Sequence, residues 1–189
     1  MFLISSQVAS KATADASTKA DATWRAALAE GRVKAPGELA EFMLGKVSRT
    51  FALNIRILPQ RLRRQVLLAY LFCRMADTLE DDAELAPAEK VDLLQAFRRI
   101  FPPGPDWAGR IEDFASRVPA RWRESERWDH LLVFHCRHIL PQLREFPASA
   151  VAAISACVDE MGLGMIRFTE RQAQSIHGTP LIGSLKDLD

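Results

Sequence analysis

The sequence predicts an all-α protein, and three observations carry that prediction. Apolar residues recur at three- and four-residue steps over most of the chain, the period of a helix with one buried face. No stretch alternates apolar and polar residues for long enough to make a strand. Pro59, Pro87, Pro119, Pro141 and Pro147, with the break Phe101-Pro102-Pro103-Gly104-Pro105, cut the chain into helix-length pieces.

The elements follow in order. Residues 5–22 are Ser, Ala, Thr and Lys with almost no large apolar side chain, so 1–22 reads as a mobile leader that frays into the first helix. Residues 23–189 form the helical portion. Trp24 to Gly31 is a short helix stopped by glycine, and Pro36-Gly37 punctuates. Glu38 to Lys46 has helical spacing in Leu39, Phe42 and Met43. Pro59 opens a long helix at its first turn, where a missing N–H costs nothing. Its apolar positions Leu62, Val66, Ala69 and Met75 keep helical spacing to an acidic end. Pro87 starts the next helix, with Val91, Leu94 and Ile100 apolar. Further helices are expected near 106–117, 127–140 and 147–175.

Composition bounds the function. A chain of 189 residues with 48% hydrophobic and 26% charged residues can build one domain with a sizeable core. A net charge of +1 gives no bulk attraction to nucleic acid. No run approaches the roughly 18 apolar residues of a membrane-spanning helix, and Met1-Phe2-Leu3-Ile4 is too short for a signal sequence. Cys73, Cys136 and Cys157 lack C-x-x-C spacing and read as free thiols in a reducing compartment. A cytoplasmic protein is the expectation.

The chemistry concentrates in one stripe. Tyr70-Leu71-Phe72-Cys73-Arg74-Met75-Ala76-Asp77-Thr78-Leu79-Glu80-Asp81-Asp82 is an apolar run ending in four carboxylates. On a helix, Tyr70, Cys73/Arg74, Asp77 and Glu80/Asp81 share one face. Asp77 and Asp81, one turn apart, suit Mg²⁺, which takes hard oxygen ligands and shares them with substrate phosphates. Arg74 could take a phosphate oxygen through its planar fork. The plainer alternative is an acidic helix end before the loop at Pro87. If the site reading holds, Asp77 and Asp81 should face a cavity rather than solvent.

Four weaker signals accompany it. Ser48-Arg49-Thr50 is either a helix cap or a substrate-flanking loop. Arg56, Arg61, Arg63 and Arg64 form a solvated basic face, or one that contacts anionic lipid. His135 and His138 flank Cys136, but zinc sites of the H-E-x-x-H type need another spacing and a third ligand. Gly162 and Gly164 stand inside a helical pattern at a cost of roughly 1 kcal/mol each, which asks for a purpose: close helix packing, or room for a ligand beside the thioethers of Met161 and Met165.

Three segments in order, Val47-Ser48-Arg49-Thr50-Phe51, the acidic stripe, and Met161-Gly162-Leu163-Gly164-Met165, give the chain its family resemblance. It resembles the squalene/phytoene synthases, in their squalene synthase branch, from about Phe42 onward. The family's first D-x-x-E-D motif is matched by Asp77, Glu80 and Asp81. The resemblance implies an isoprenoid synthase helical fold and head-to-head joining of two farnesyl diphosphates through presqualene diphosphate, with NADPH reducing the product to squalene. It implies Mg²⁺ on Asp77, Glu80 and Asp81, and catalytic roles for Tyr70, Arg74, Asp77 and Asp81. Substrate contacts would come from Ser48, Arg49, Phe51, Arg74, Met161, Gly162, Gly164 and Met165. Same-family alternatives make dehydrosqualene, phytoene or hydroxysqualene, and a non-catalytic prenyl-lipid binder is a further reading. The family's second aspartate-rich motif follows a tyrosine-rich helix, and Lys186-Asp187-Leu188-Asp189 falls about where that helix should begin. The expectation is an incomplete fold, the N-terminal portion of an enzyme, inactive by itself, with an apolar face left open.

Overall fold

The computed structural model describes residues 17–175. The Lys186–Asp189 end lies outside the described residues. Eight α-helices run through that span: α1 (residues 17–29), α2 (Pro36–Val47), α3 (Arg49–Arg56), α4 (Gln60–Asp81), α5 (Pro87–Arg98), α6 (Trp107–Arg117), α7 (Trp128–Phe134) and α8 (Ala148–Ser175). Three 3-10 turns, Ala120–Glu124, Cys136–His138 and Leu140–Glu145, connect the later helices. No strand occurs among the described residues.

Local chemistry sets the helix ends. Gly31, at φ 66°, closes α1, with its N–H donating to Leu28 and that of Arg32 reaching back to Ala27. Pro36 and Pro87 open α2 and α5 at positions where a donor is not needed. Glu89 turns back to accept from the Ala86 N–H at 2.8 Å. Pro59 stands at the cap of α4.

The core is organised around α4, which packs against α2, α3, α5, α7 and α8. Leu68, Leu71, Phe72, Met75, Ala76 and Leu79 lose all contact with solvent. Each of these side chains larger than alanine is worth about 1.5–3 kcal/mol of burial, so this face holds α4 in place. Phe72, Phe101, Phe97 and Phe114 continue the core as a chain of tilted rings with centroids 5.1–5.4 Å apart. The long α8 lies along α5 and α4.

Four expectations change. The first helix begins at residue 17, not at Trp24, and Lys46 of α2 pairs with Asp21 and donates to Ser17 Oγ at 3.3 Å. Those contacts tie the last part of the predicted leader to the domain. The expected 127–140 helix stops at Phe134 and gives way to 3-10 turns, with the His138 and Ile139 N–H groups donating three residues back, to His135 and Cys136. On α4, Leu62 is 46% exposed and Val66 and Ala69 only partly buried. Leu62 and Val66 continue the Tyr70–Asp77 face, not the core face. Finally, Ala148–Gln174 contains an 18-residue window of mean hydropathy 1.4, long and apolar enough to cross a membrane by length and composition. Its hydropathy comes from alanines and scattered aliphatics, which hides it from a search for an unbroken apolar run. In this structure Ile154, Val158 and Ile166 of that helix are in the core.

Candidate active site

The face of α4 that does not enter the core carries the chemistry. Phe51, in the first turn of α3, stacks on Tyr70 with centroids 4.7 Å apart and planes 26° from parallel. Ser48 caps α3, its Oγ accepting from the Phe51 N–H at 3.3 Å. The cap thus sets the position of the ring that meets Tyr70, and the structure joins two sequence signals that are twenty residues apart. Arg49 is exposed and has no ion-pair partner among the described residues.

One turn beyond Tyr70, Arg74 is held by Asp129, at the start of α7, with N···O 3.2 Å. Its Nε is buried without a hydrogen-bond partner, so the fork is oriented but not saturated. Asp77 comes next, half-buried. Burial raises its carboxyl above the ordinary 3.8, Arg74 pulls the other way, and Asp81 adds to the rise. Glu80 is raised above 4.5 by burial, by a hydrogen bond to Asp81 and by the Asp81 charge. Lys90 partly offsets this and also donates to the Glu80 carbonyl. Asp81 itself is exposed, against the expectation that it faces a cavity, while Asp77 and Glu80 are partly withdrawn from solvent.

This crowding bears on a metal ion. Three carboxylates share one helix end, two of them driven toward protonation by burial and by the Asp81 charge, and a divalent cation would relieve that crowding. Among the described residues no three His, Cys, Asp or Glu side chains are grouped so as to hold a metal ion by themselves. Mg²⁺ is bound through one or two carboxylates plus phosphates and waters, and needs no such grouping.

The fourth carboxylate of the stripe behaves differently. Asp82 is 1% exposed. Its Oδ1 accepts from the Glu84 and Leu85 N–H groups at 3.0 and 3.1 Å, and its Oδ2 lies 2.8 Å from His130 Nε2. His130 stacks flat on Trp122, centroids 4.2 Å apart, with Ser125 Oγ on its other nitrogen at 2.9 Å. Asp129 is also buried. Desolvation alone would raise it, but the hydrogen bonds and charge of Arg127, then His130, bring it below 3.8. Arg127 pulls harder than Arg74, in keeping with its closer contact of 2.8 Å. Asp82, Arg127, Asp129 and His130 were not legible as functional in the sequence. Asp82 differs from Asp81 only by a 100° step round the helix, and the W-D-H run at 128–130 carries no spacing signature.

On α8 the two glycines separate. A Cβ at Gly162 would lie 2.8 Å from Arg98 Cγ, and Arg98 donates to Asp159 Oδ1 at 2.9 Å. Gly162 therefore lets the α5 arginine cross the helix, which is the packing role. A Cβ at Gly164 would meet nothing within 4 Å. Met161 and Met165 are partly buried against the core. Cys73 stands one turn before Asp77, and burial pushes its thiol up to about 12, with Cys157 of α8 contributing. His135 and His138 stack at 6.2 Å, as i,i+3 residues of a 3-10 turn do. Cys136 between them is wholly buried, so the three do not converge.

Residues 44–189 match the squalene/phytoene synthase family. The chain belongs to that family. Its similarity is to the squalene synthase branch: it is 31% identical over 134 residues to squalene synthase 1 of Arabidopsis thaliana, covering 71% of this chain and 29% of that protein. It is 30% identical over 132 residues to the squalene synthases of Homo sapiens and Bos taurus, covering 70% of this chain and 28% of each. The match thus spans less than a third of the length of these relatives. No solved structure matches the chain significantly. The all-α architecture is that of the squalene/phytoene synthases, and the chain is of a prenyltransferase-type enzyme family.

Proposed function

We propose that this chain supplies the first carboxylate site of an enzyme that joins two farnesyl diphosphates head to head through presqualene diphosphate, forming squalene with reduction by NADPH. The observation that carries the proposal is the α4 face. Arg74 stands one turn before Asp77 and Asp77 one turn before Asp81, in a chain whose relatives are squalene synthases.

The difficult step is ionising an allylic diphosphate while keeping water from the cation. Asp77 and Asp81, with Glu80, would hold Mg²⁺, which when bound neutralises the leaving diphosphate. Arg74, anchored by Asp129 and with Nε unpaired, orients a diphosphate oxygen without swinging away. The Phe51–Tyr70 stack lines the same face with aromatic surface, which excludes water and stabilises a passing cation. The exposed Arg49 adds charge at the edge of the site, with Ser48 holding the segment in register. Met161, Met165 and the open space at Gly164 give hydrocarbon contact on α8. Exposed Leu53, Ile57 and Leu62, interspersed with Arg56 and Arg61, support contact of a cytoplasmic enzyme with a bilayer surface.

Incubation of the full-length enzyme with labelled farnesyl diphosphate and Mg²⁺, with and without NADPH, tests this. Squalene that requires NADPH is the expected product. Phytoene-type, dehydrosqualene or hydroxysqualene products would move the assignment within the family. Binding of the diphosphate without consumption would replace the enzyme by a prenyl-lipid binder.

A further inference from the structure

His135 and His138 do not converge on Cys136, but they share the wall of a recess of about 320 Å³, between the end of α1 and the 3-10 turns Ala120–Glu124 and Cys136–His138. His135 is 8% exposed, and its Nε2 is buried without a hydrogen-bond partner. A buried polar atom left unpaired is costly and asks for a ligand or a role. The His138 ring stands beside it, centroids 6.2 Å apart. Arg123, also in the wall, donates through Nη2 to the Ala29 carbonyl at 2.9 Å, which ties it to the end of α1 and leaves other N–H groups of its fork to offer. Arg137 adds a second guanidinium, though both Glu112 oxygens accept from it at 2.7 Å. Glu30 is the one carboxylate among the lining residues, and it is paired with Arg32.

The wall is therefore basic, which disfavours a metal cation and favours an anion. Burial, with the charges of His138, Arg123 and Arg137, holds the His135 imidazole down at about 4, so near neutrality its ring is uncharged, with one nitrogen to donate and one to accept. A phosphate group suits that wall. Its ionised oxygens match the Arg123 fork, and the O–H that it keeps near neutrality can donate to an uncharged imidazole. Sulfate has the same shape and no such proton. We propose that this recess binds a phosphate group, free or as a phosphomonoester lipid headgroup, on Arg123 and the imidazoles of His135 and His138. The site shares no residue with the acidic face of α4.

Equilibrium dialysis of the full-length protein against radiolabelled inorganic phosphate tests the proposal. A chelator is present, so that no Mg²⁺ links the anion to the α4 carboxylates. Saturable binding is expected, weakened about tenfold or more in Arg123→Gln, unchanged in Arg74→Gln, and poorly competed by sulfate. In the wild type, bound phosphate should slow the carbethoxylation of His138 by diethyl pyrocarbonate, read by mass in the tryptic peptide 138–144. That measurement requires no variant to fold. Vesicles of phosphatidylcholine with and without phosphatidic acid separate the two sources: binding that needs phosphatidic acid and Arg123, with none to free phosphate, makes the ligand a lipid headgroup. Binding that survives Arg123→Gln or is lost in Arg74→Gln would overturn the site. So would equal competition by sulfate, binding that leaves His138 unprotected, or no binding to either phosphate or vesicles. None of these readouts is turnover, so the site stands or falls apart from the assigned reaction.

Discussion

The two sides of the α4 C-terminus handle negative charge in opposite ways. On one side Asp82 and Asp129 are buried and fully answered, by His130, Arg127, Arg74 and backbone N–H groups. On the other, Asp77, Glu80 and Asp81 crowd together with partial compensation, and Asp77 and Glu80 are pushed toward protonation. Asp129, with its partners, is held below its ordinary value despite burial. Four carboxylates within six residues thus divide into a scaffold and a site. The difference teaches that the site is recognised less by the presence of acids than by burial and mutual repulsion that their counter-charges only partly offset.

The comparison breaks most visibly by substitution at its two ends. Asp77→Asn in the full-length enzyme should lower farnesyl diphosphate consumption on the order of 10³-fold while leaving the melting temperature unchanged or slightly raised, since it removes a like charge. Wild-type turnover would dissolve the site. Asp129→Ala should do the reverse in kind. It leaves Arg74 and Arg127 without their acceptor, and because both arginines are partly exposed the loss should be about 2 kcal/mol, between the values for surface and buried pairs. Urea unfolding measures it; a loss below experimental error would demote Asp129 from the scaffold.

Smaller effects sharpen the same contrast on α8. Gly162→Leu should destabilise by about 1–3 kcal/mol through overpacking against Arg98, and Gly164→Ala should stabilise by about 0.5–1 kcal/mol by removing a helix glycine in open space. Equal effects in a pair of thermal melts would erase the distinction between packing and open positions. The smallest effect is in pH. Asp77 and Glu80 hold protons more tightly in the folded chain than in the unfolded one. The stability they supply is present in acid and is lost as pH rises past their ordinary values of 3.8 and 4.5. Solvent screening keeps this under about 1 kcal/mol. Asp129 acts in the opposite sense, so the useful quantity is wild type minus Asp77→Asn, and Mg²⁺ should flatten that difference near neutrality. A difference curve indifferent to Mg²⁺ would argue against the ion.

Much of the fold was legible because proline and glycine act locally. Pro36, Pro59, Pro87 and Gly31 mark ends that the structure keeps within a residue or two. The face joining Tyr70, Arg74 and Asp77 was legible because a helix converts spacing into direction. What could not be read was set by distant partners. Leu62 and Val66 have helical spacing but fall on the wrong side of α4, since periodicity finds a stripe without saying what covers it. Asp82 is buried only because His130 and Trp122 stack over it from 40 and more residues away. Gly162 and Gly164 are indistinguishable until Arg98 is placed beside one of them.

The ring stacked on Phe51 is the chain's single tyrosine. Biosynthetic replacement by 3-fluorotyrosine would therefore put a fluorine nucleus, the one among these 189 residues, at the head of the acidic face. The Phe51 ring current displaces its ¹⁹F resonance from the value in the unfolded chain. Its position then reports whether α3 and α4 stay in register as a diphosphate or a divalent ion is added.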